Sequence, residues 1–346
     1  MRVRKKIALI VDSDNWAFAN IAKNVKQHLS KYYDFDIIPV SYLDYNLVKL
    51  LILVKEYDLI HFFWRGHIND MRNNFFSWYI ENMGTTKEKF EQEYLNYNKI
   101  TTAVYDHLYI NKDKEISKYI FGKVKNYYVS SIKLFDIYNK LDIKNKPNCV
   151  ITDGTDLDKF YPINLERFEN IDNRTIKIGW VGNSKWSNGK KDIKGLKTII
   201  DPVIKELIKE EYNIEASYAD SQIKRIPLDN MVNYYSNIDI YVCCSENEGT
   251  PNPVLESMAC GVPIISTDVG IVKEALGKKQ KKYILKNRSK KDLKEMIIKL
   301  INNKSELKEL SQENLKRIKD WTWDKKAKDF KRFFDSCLKG EENDNR

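Results

Sequence analysis

Short runs of β-branched and aromatic residues alternate with longer amphipathic runs along the whole chain, and no other feature restricts the fold as much. Strand-like runs occupy 6–11, 36–40, 59–64, 100–105, 127–130 and 149–152, with helical spacing at 16–32, 45–55, 75–80, 116–124 and 133–141. Residues 155–173 break the rhythm, contain Pro162 and read as a linker. A second alternation follows, with strands at 176–181, 214–218, 240–244 and 263–267 and helices at 193–209, 229–237 and 253–259. Pro202 predicts a break within 193–209. Three helical segments, 290–302, 306–319 and 323–338, close the chain. Such alternation builds parallel sheets covered on both faces. The 346 residues fit two domains at about 150 residues each. The fold class expected is therefore α/β: two Rossmann-like doubly wound domains facing across a cleft, with the chemistry in loops beyond the carboxyl ends of the strands.

Composition removes other classes. Hydrophobic residues make up 42% and charged residues 31%, enough apolar material for real cores. The net charge of +10 comes from 59 Lys and Arg against 49 Asp and Glu. It invites nucleic acid or an anionic membrane as partner, yet no Arg-rich helix or aromatic-basic motif supports nucleic acid, which is not expected. Five cysteines without a Cys-x-x-Cys pattern fit buried thiols in a reducing compartment, and the four histidines lack zinc-ligand spacing, so no metal site is expected. The basic start before 7–11 is not followed by a cleavage site of small residues, so no leader is expected. The most apolar run, 47–54, is interrupted by Lys49 and flanked by Lys55 and Glu56. A cytoplasmic location is expected, at most peripheral at the inner face of the plasma membrane. The polar tail 341–346 is expected to fray.

The informative stretch runs from Ser245 to Pro263 as loop, helix and strand start. Glu248 ends the loop after a buried strand, and Glu256 lies about one turn into the helix opened by Pro253. Gly249 lets backbone approach a ligand, and free N–H groups at the helix start, around Thr250, Pro251, Asn252, Pro253 and Val254, favour an anion. An anion site flanked by two carboxylates suits a nucleotide-sugar. The diphosphate would sit at the helix start, ribose hydroxyls at Glu256 and a sugar hydroxyl or anomeric charge at Glu248.

Two glutamates separated by seven residues, then Met258-Ala259-x-Gly261-x-Pro263, resemble the donor-site signature of the family 4 glycosyltransferases, which have the GT-B fold. Gly154-Thr155-Asp156 with Phe160 and Pro162, and Asp268-Val269-Gly270 with Glu274, are similar to further segments of that family. The resemblance spans the C-terminal half and, more weakly, the N-terminal half. It implies domains at 1–165 (acceptor side) and 172–322 (donor side), with a helix at 323–340 crossing back onto the first domain. It also implies a retaining reaction with no metal and no cofactor. By the same resemblance, Gly182 ends a phosphate-facing turn, Lys194 is the lysine that neutralises the diphosphate, and Asn183 stands where an arginine is usual. Lys185 is placed either to substitute for that arginine or as a solvated loop lysine.

The first half carries weaker signals. Asp12, Asn15 and Trp16 follow the first strand without the family's glycines. Asp12 or Asn15 would bind an acceptor hydroxyl and Trp16 a sugar face; alternatively Asp14 or Asn15 caps the helix and Trp16 packs on it. Asp12-Ser13-Asp14 is also an Asp-x-Asp, but it lies too early for the metal-binding pattern of GT-A enzymes. Trp64 and Arg65, at the end of the third strand, suit a sugar ring and an anionic acceptor group, while His61 reads as core. The family often has a histidine near Tyr105; Tyr105, Asp106 or His107 would fill its role.

These residues predict transfer of a sugar from a UDP- or GDP-sugar to a hydroxyl of a glycan or lipid-linked glycan, in bacterial surface polysaccharide or glycoconjugate synthesis. The alternative is a non-catalytic GT-B partner subunit that binds glycan or stabilises an active glycosyltransferase.

Overall fold

The structure, a computed structural model, describes residues 4–14, 16–110, 114–169, 171, 174–186 and 191–339. Asn15 and the tail 341–346 lie outside the described residues. The chain forms two compact units, 1–153 with 323–346, and 154–322.

The first unit has six parallel strands: β1 Lys5–Val11, β2 Tyr33–Pro39, β3 Leu59–Phe62, β4 Ile100–Val104, β5 Asn126–Val129 and β6 Cys149–Val150, in the order β2-β1-β3-β4-β5-β6. β1 pairs with β2 from Lys5/Tyr33 to Val11/Pro39 and with β3 from Ile7/Leu59 to Ile10/Phe62. β3 and β4 are apolar or hydrogen-bonded throughout and fully buried, as strands covered on both faces must be. Helix Leu47–Leu53 starts where the Asn46 side chain accepts from the amides of Val48 and Lys49. The long connection from β3 to β4 holds three α-helices, Gly66–Asp70, Asn74–Asn82 and Lys87–Tyr94.

The closing helix, Trp323–Lys339, belongs to this unit. Its residues Trp323, Ala327, Phe330, Phe334 and Cys337 follow helical spacing and are buried with Ile7, Leu9, Ala103 and Tyr128. The rings of Phe330 and Phe333 meet Tyr128 at 5.5 and 5.3 Å, and the Tyr33 hydroxyl donates to Asp335 at 2.6 Å.

The second unit has five parallel strands: β7 Ile176–Gly182, β8 Ile214–Asp220, β9 Ile240–Cys243, β10 Ile264–Thr267 and β11 Ile284–Leu285, ordered β11-β10-β9-β7-β8. Pro202 marks a change in helix type. A wide turn over Leu196–Ile200, in which the Ile200 amide reaches the Gly195 carbonyl at 2.9 Å, gives way to the α-helix Asp201–Lys209.

The linker expectation for 155–173 is corrected. Phe160, Phe168 and Ile171 are buried in the cores of the second unit, so the chain changes unit at Asp153–Gly154 and 154–165 does not belong to the first. The two ends of the second unit lie side by side. Thr155 forms a parallel bridge with Thr322, and its amide donates to the Trp321 carbonyl at 2.7 Å.

Candidate active site

Each sheet has one point where the chain reverses its order of addition. In the first unit it lies between β1 and β3, in the second between β7 and β9. Loops leaving two such neighbours diverge and open a crevice at the carboxyl ends of the strands. In the second unit β7 ends on Gly182 and its loop carries Asn183 and Lys185, while the loop after β9 carries Ser245 to Pro251.

The loop after β7 is shaped by its own polar groups. Asn183 accepts from the Lys185 amide at 2.8 Å, an Asx turn that leaves Lys185 exposed. Asp220, the last residue of β8, accepts from the amides of Ser184 at 3.1 Å and Gln222 at 3.0 Å. Burial pushes the Asp220 carboxyl up, but those hydrogen bonds outweigh it and hold it below the usual range.

Lys194 reaches the loop after β9. Its Nζ sits 2.5 Å from Glu248 Oε1 and 5.8 Å from the Trp186 ring centre. The two side chains are only 22% and 16% exposed. Their segments are tied together by the backbone. The Glu246 amide donates to the Ile193 carbonyl at 2.9 Å, and Arg288 donates to the carbonyls of Cys244 at 2.8 Å and Asp192 at 2.6 Å. Gly195 allows this approach. It has φ +75°, and a Cβ there would stand 2.5 Å from the Cys244 carbonyl oxygen. Gly270, at φ +50°, backs the same loop; its Cβ would fall 2.0 Å from the Gly249 carbonyl oxygen.

Helix Asn252–Ala259 begins after Pro251 with no side-chain cap; Pro253 has no N–H and the Val254 amide donates to the Pro251 carbonyl at 2.9 Å, so of its first three positions only the Asn252 amide is left for a ligand or water. The expectation that Val254 faces an anion is corrected, since its side chain is buried in the core and its amide is taken by Pro251. Glu256 is half-buried one turn in, and its Oε2 accepts from the Tyr235 hydroxyl at 2.6 Å. Burial pushes the Glu256 carboxyl up to about 7, against the opposing effect of that hydrogen bond. Thr250, Asn252 and Pro253 are half-buried beside it, and Gly249 and Pro251 are buried.

The first unit's crevice differs from expectation. Asp12 does not stand alone: its Oδ1 lies 3.0 Å from His67 Nε2, and Asp70 faces the other ring nitrogen at 3.6 Å. Burial lowers the His67 pKa, but the two carboxylates prevail and raise it. Trp16 is 55% exposed and supplies only backbone at the helix start; Asp14 accepts from the Tyr42 hydroxyl and caps nothing. Trp64 is half-buried, with its ring 6.4 Å from Phe18.

The expectation that Arg65 meets an anionic acceptor is corrected. Arg65 is 1% exposed and donates to Asp106 through both terminal nitrogens, at 2.5 and 3.2 Å, and to the Leu108 carbonyl at 2.9 Å. The expectation that Asp106 acts on substrate is corrected with it, since both its carboxylate oxygens are engaged by Arg65 and Oδ1 also accepts from the Leu108 amide at 2.8 Å. Tyr105 is corrected likewise as a sugar contact. Its hydroxyl lies 3.0 Å from that of Tyr128 and donates to Asp153 at 3.1 Å, inside the unit. Burial pushes the Asp153 carboxyl up to about 7. His107 lies half-buried in the loop after β4. His61 is core, with Nδ1 2.9 Å from Thr101 Oγ1, and its burial lowers the pKa to about 3.

Sequence reasoning did not single out Tyr235, Asp220, Arg288, His67 or Asp153. Tyr235, among the apolar residues of a short helix, offered some signal; Arg288, within the polar run 286–291, offered none. No helix of the described residues is long and apolar enough to cross a membrane.

Residues 204–317, within the second unit, match the family described as "Glycosyl transferases group 1". The chain is 26% identical over 258 residues to an uncharacterized glycosyltransferase of Methanocaldococcus jannaschii, covering 65% of this chain and 62% of that protein. It is 26% identical over 184 residues to the N,N'-diacetylbacillosaminyl-diphospho-undecaprenol alpha-1,3-N-acetylgalactosaminyltransferase of Campylobacter jejuni, covering 49% of each. The chain thus spans less than two thirds of the length of either relative. Among solved structures, Anabaena HepE in complex with UDP and glucose superimposes with a TM-score of 0.65 at 11% identity, covering 96% of this chain and 100% of that one. The two parallel-sheet units form the GT-B fold.

Proposed function

We propose that this chain is a retaining glycosyltransferase of the family 4 type. It takes a sugar from a UDP- or GDP-sugar and passes it to a hydroxyl of a glycan or lipid-linked glycan. The observation that carries the reading is the pairing of Lys194 with Glu248 and the half-buried Glu256 beside an uncapped helix start, all at the reversal point of the second sheet. The group 1 match over 204–317 includes both glutamates, and the C. jejuni relative bears the name of a transferase acting on an undecaprenol-linked sugar.

In this reading Glu256 accepts hydrogen bonds from ribose hydroxyls. Lys194, Lys185 and the amides of Gly249 and Asn252 meet the diphosphate charge in place of a metal, and no cofactor takes part. Glu248 orients the donor sugar and faces positive charge as the bond from anomeric carbon to phosphate oxygen breaks. The acceptor oxygen bonds to the anomeric carbon on the same face, and its proton passes to the departing phosphate. Asp12, Trp16 and Trp64 serve the acceptor. A lipid-linked acceptor goes with peripheral contact on an anionic membrane, which the net charge of +10 favours, and with a role in surface polysaccharide or glycoconjugate synthesis.

A thermal-shift screen against UDP- and GDP-sugars tests this, because a true donor stabilises the fold by mass action. The expected result is a rise in Tm with one nucleotide-sugar and transfer to a glycan acceptor. Absence of binding and of transfer across the panel would sink the enzyme reading and favour a non-catalytic partner subunit.

A further inference from the structure

Tyr235 lies on the short helix Met231–Ser236 and is fully buried. Its ring is held by three others, Phe160 at 6.1 Å, Tyr234 at 5.5 Å and Tyr241 at 6.3 Å, which leaves the hydroxyl one direction. That direction ends on Glu256 Oε2 at 2.6 Å. Tyr234, its neighbour, points elsewhere: its hydroxyl accepts from the Trp180 amide at 3.0 Å and donates to the Ser217 carbonyl at 2.5 Å. The two adjacent phenols therefore do different things. One fastens helix to sheet, and the other fixes a carboxylate.

A glutamate side chain has three rotatable bonds, and a carboxylate that must meet a ribose gains from having them fixed beforehand. A phenol carries one proton and occupies one oxygen, which leaves Oε1 of Glu256 available. We propose that Tyr235 is a positioning residue for ribose recognition: by holding Glu256 Oε2 it sets Oε1 against the ribose hydroxyls of a nucleoside diphosphate. The inference rests on the donor-site reading above. The preference of the site for ribose over deoxyribose then depends on a residue that never touches the nucleotide.

Calorimetry on the full chain tests it, with UDP and GDP beside their 2′-deoxy and 3′-deoxy counterparts. The wild type is expected to bind one ribonucleotide at least about tenfold more tightly than a deoxy form. Tyr235→Phe keeps the ring and removes the hydroxyl. It is expected to weaken the ribonucleotide about three- to tenfold, leave the deoxy form nearly unchanged, and raise the donor KM with kcat within about twofold. Tyr234→Phe, which removes the other phenol, is expected to retain the wild-type ratio. If Tyr235→Phe retains that ratio, the proposal is overturned while the donor-site reading stands. A wild type that binds nucleotide without favouring ribose overturns it too. A wild type that binds no nucleotide overturns both. Should Tyr235→Phe fail to fold, Glu256→Asp, which shortens the carboxylate away from the phenol, must lose the ratio, and its retention there counts equally against the idea.

Discussion

Replacing Glu248 by glutamine is expected to tighten the grip on free nucleoside diphosphate while slowing transfer. Lys194 is bound to Glu248 at 2.5 Å, with both side chains less than a quarter exposed. A diphosphate that recruits Lys194 must first draw it from that carboxylate. An ion pair this far withdrawn from water exceeds the median surface pair without reaching the fully buried case, so its net strength is about 1 kcal/mol. Glutamine keeps the shape and a neutral acceptor but gives up the charge. The dissociation constant of UDP or GDP should therefore fall about fivefold. Turnover should drop by about a hundredfold or more, because the carboxylate that faces the developing charge is gone. Calorimetry at low and high salt, beside steady-state kinetics, reads both effects, and the gain in affinity should shrink as salt screens the pair. An unchanged or weaker affinity in Glu248→Gln would refute the view that the carboxylate occupies the lysine before substrate arrives.

The other predictions concern stability and the loops that shape the site. Asp106→Ala leaves the Arg65 guanidinium buried without its partner and should cost about 3 kcal/mol by denaturant melting; Arg65→Met in the same chain should recover most of it. Gly195→Ala forces a side chain into φ +75° and against the Cys244 carbonyl, so it should lose about 1–2 kcal/mol or more and weaken nucleotide binding with it. Asp153 is 2% exposed, and burial raises its pKa from 3.8 to about 7. The folded state then binds a proton that the unfolded state has lost, and stability falls as pH rises from about 4 to 7. Asp153→Asn should remove that slope and leave the chain about 3–4 kcal/mol more stable at pH 8, which chemical melts across pH would check. Phe333→Ala should cost about 3–5 kcal/mol by opening a cavity beneath the closing helix.

The strands and long helices could be read because their residues announce burial locally. β3 is apolar almost throughout, and the closing helix repeats aromatic residues at helical spacing. Helix Lys87–Tyr94 was invisible because only Phe90 in it is buried, and β11 has two residues, too few to show a period. The placement of Glu248 and Glu256 in one loop and the helix after it was legible because the two lie close in sequence. The readings of Arg65, Asp106 and Tyr105 gave way for a different reason. Arg65 and Asp106 are 41 positions apart and Tyr105 and Asp153 are 48 apart, and spacing along the chain does not say which carboxylate a distant group will meet. Polar residues at strand ends looked available to a ligand, whereas they satisfy one another. Tyr235 was overlooked for the converse reason, since an aromatic residue in a helix reads as packing until its hydroxyl is followed to Glu256.

The adjacency of Thr155 and Thr322 makes residues 154–322 a cassette, inserted at a single seam in a host that is otherwise continuous from Val150 to the closing helix. An insert whose two ends emerge together can be exchanged without restringing its host. A homologous second unit grafted between Asp153 and Trp323 would need only two short junctions at one place. In such chimeras donor preference should travel with the cassette, and acceptor preference should remain with the host.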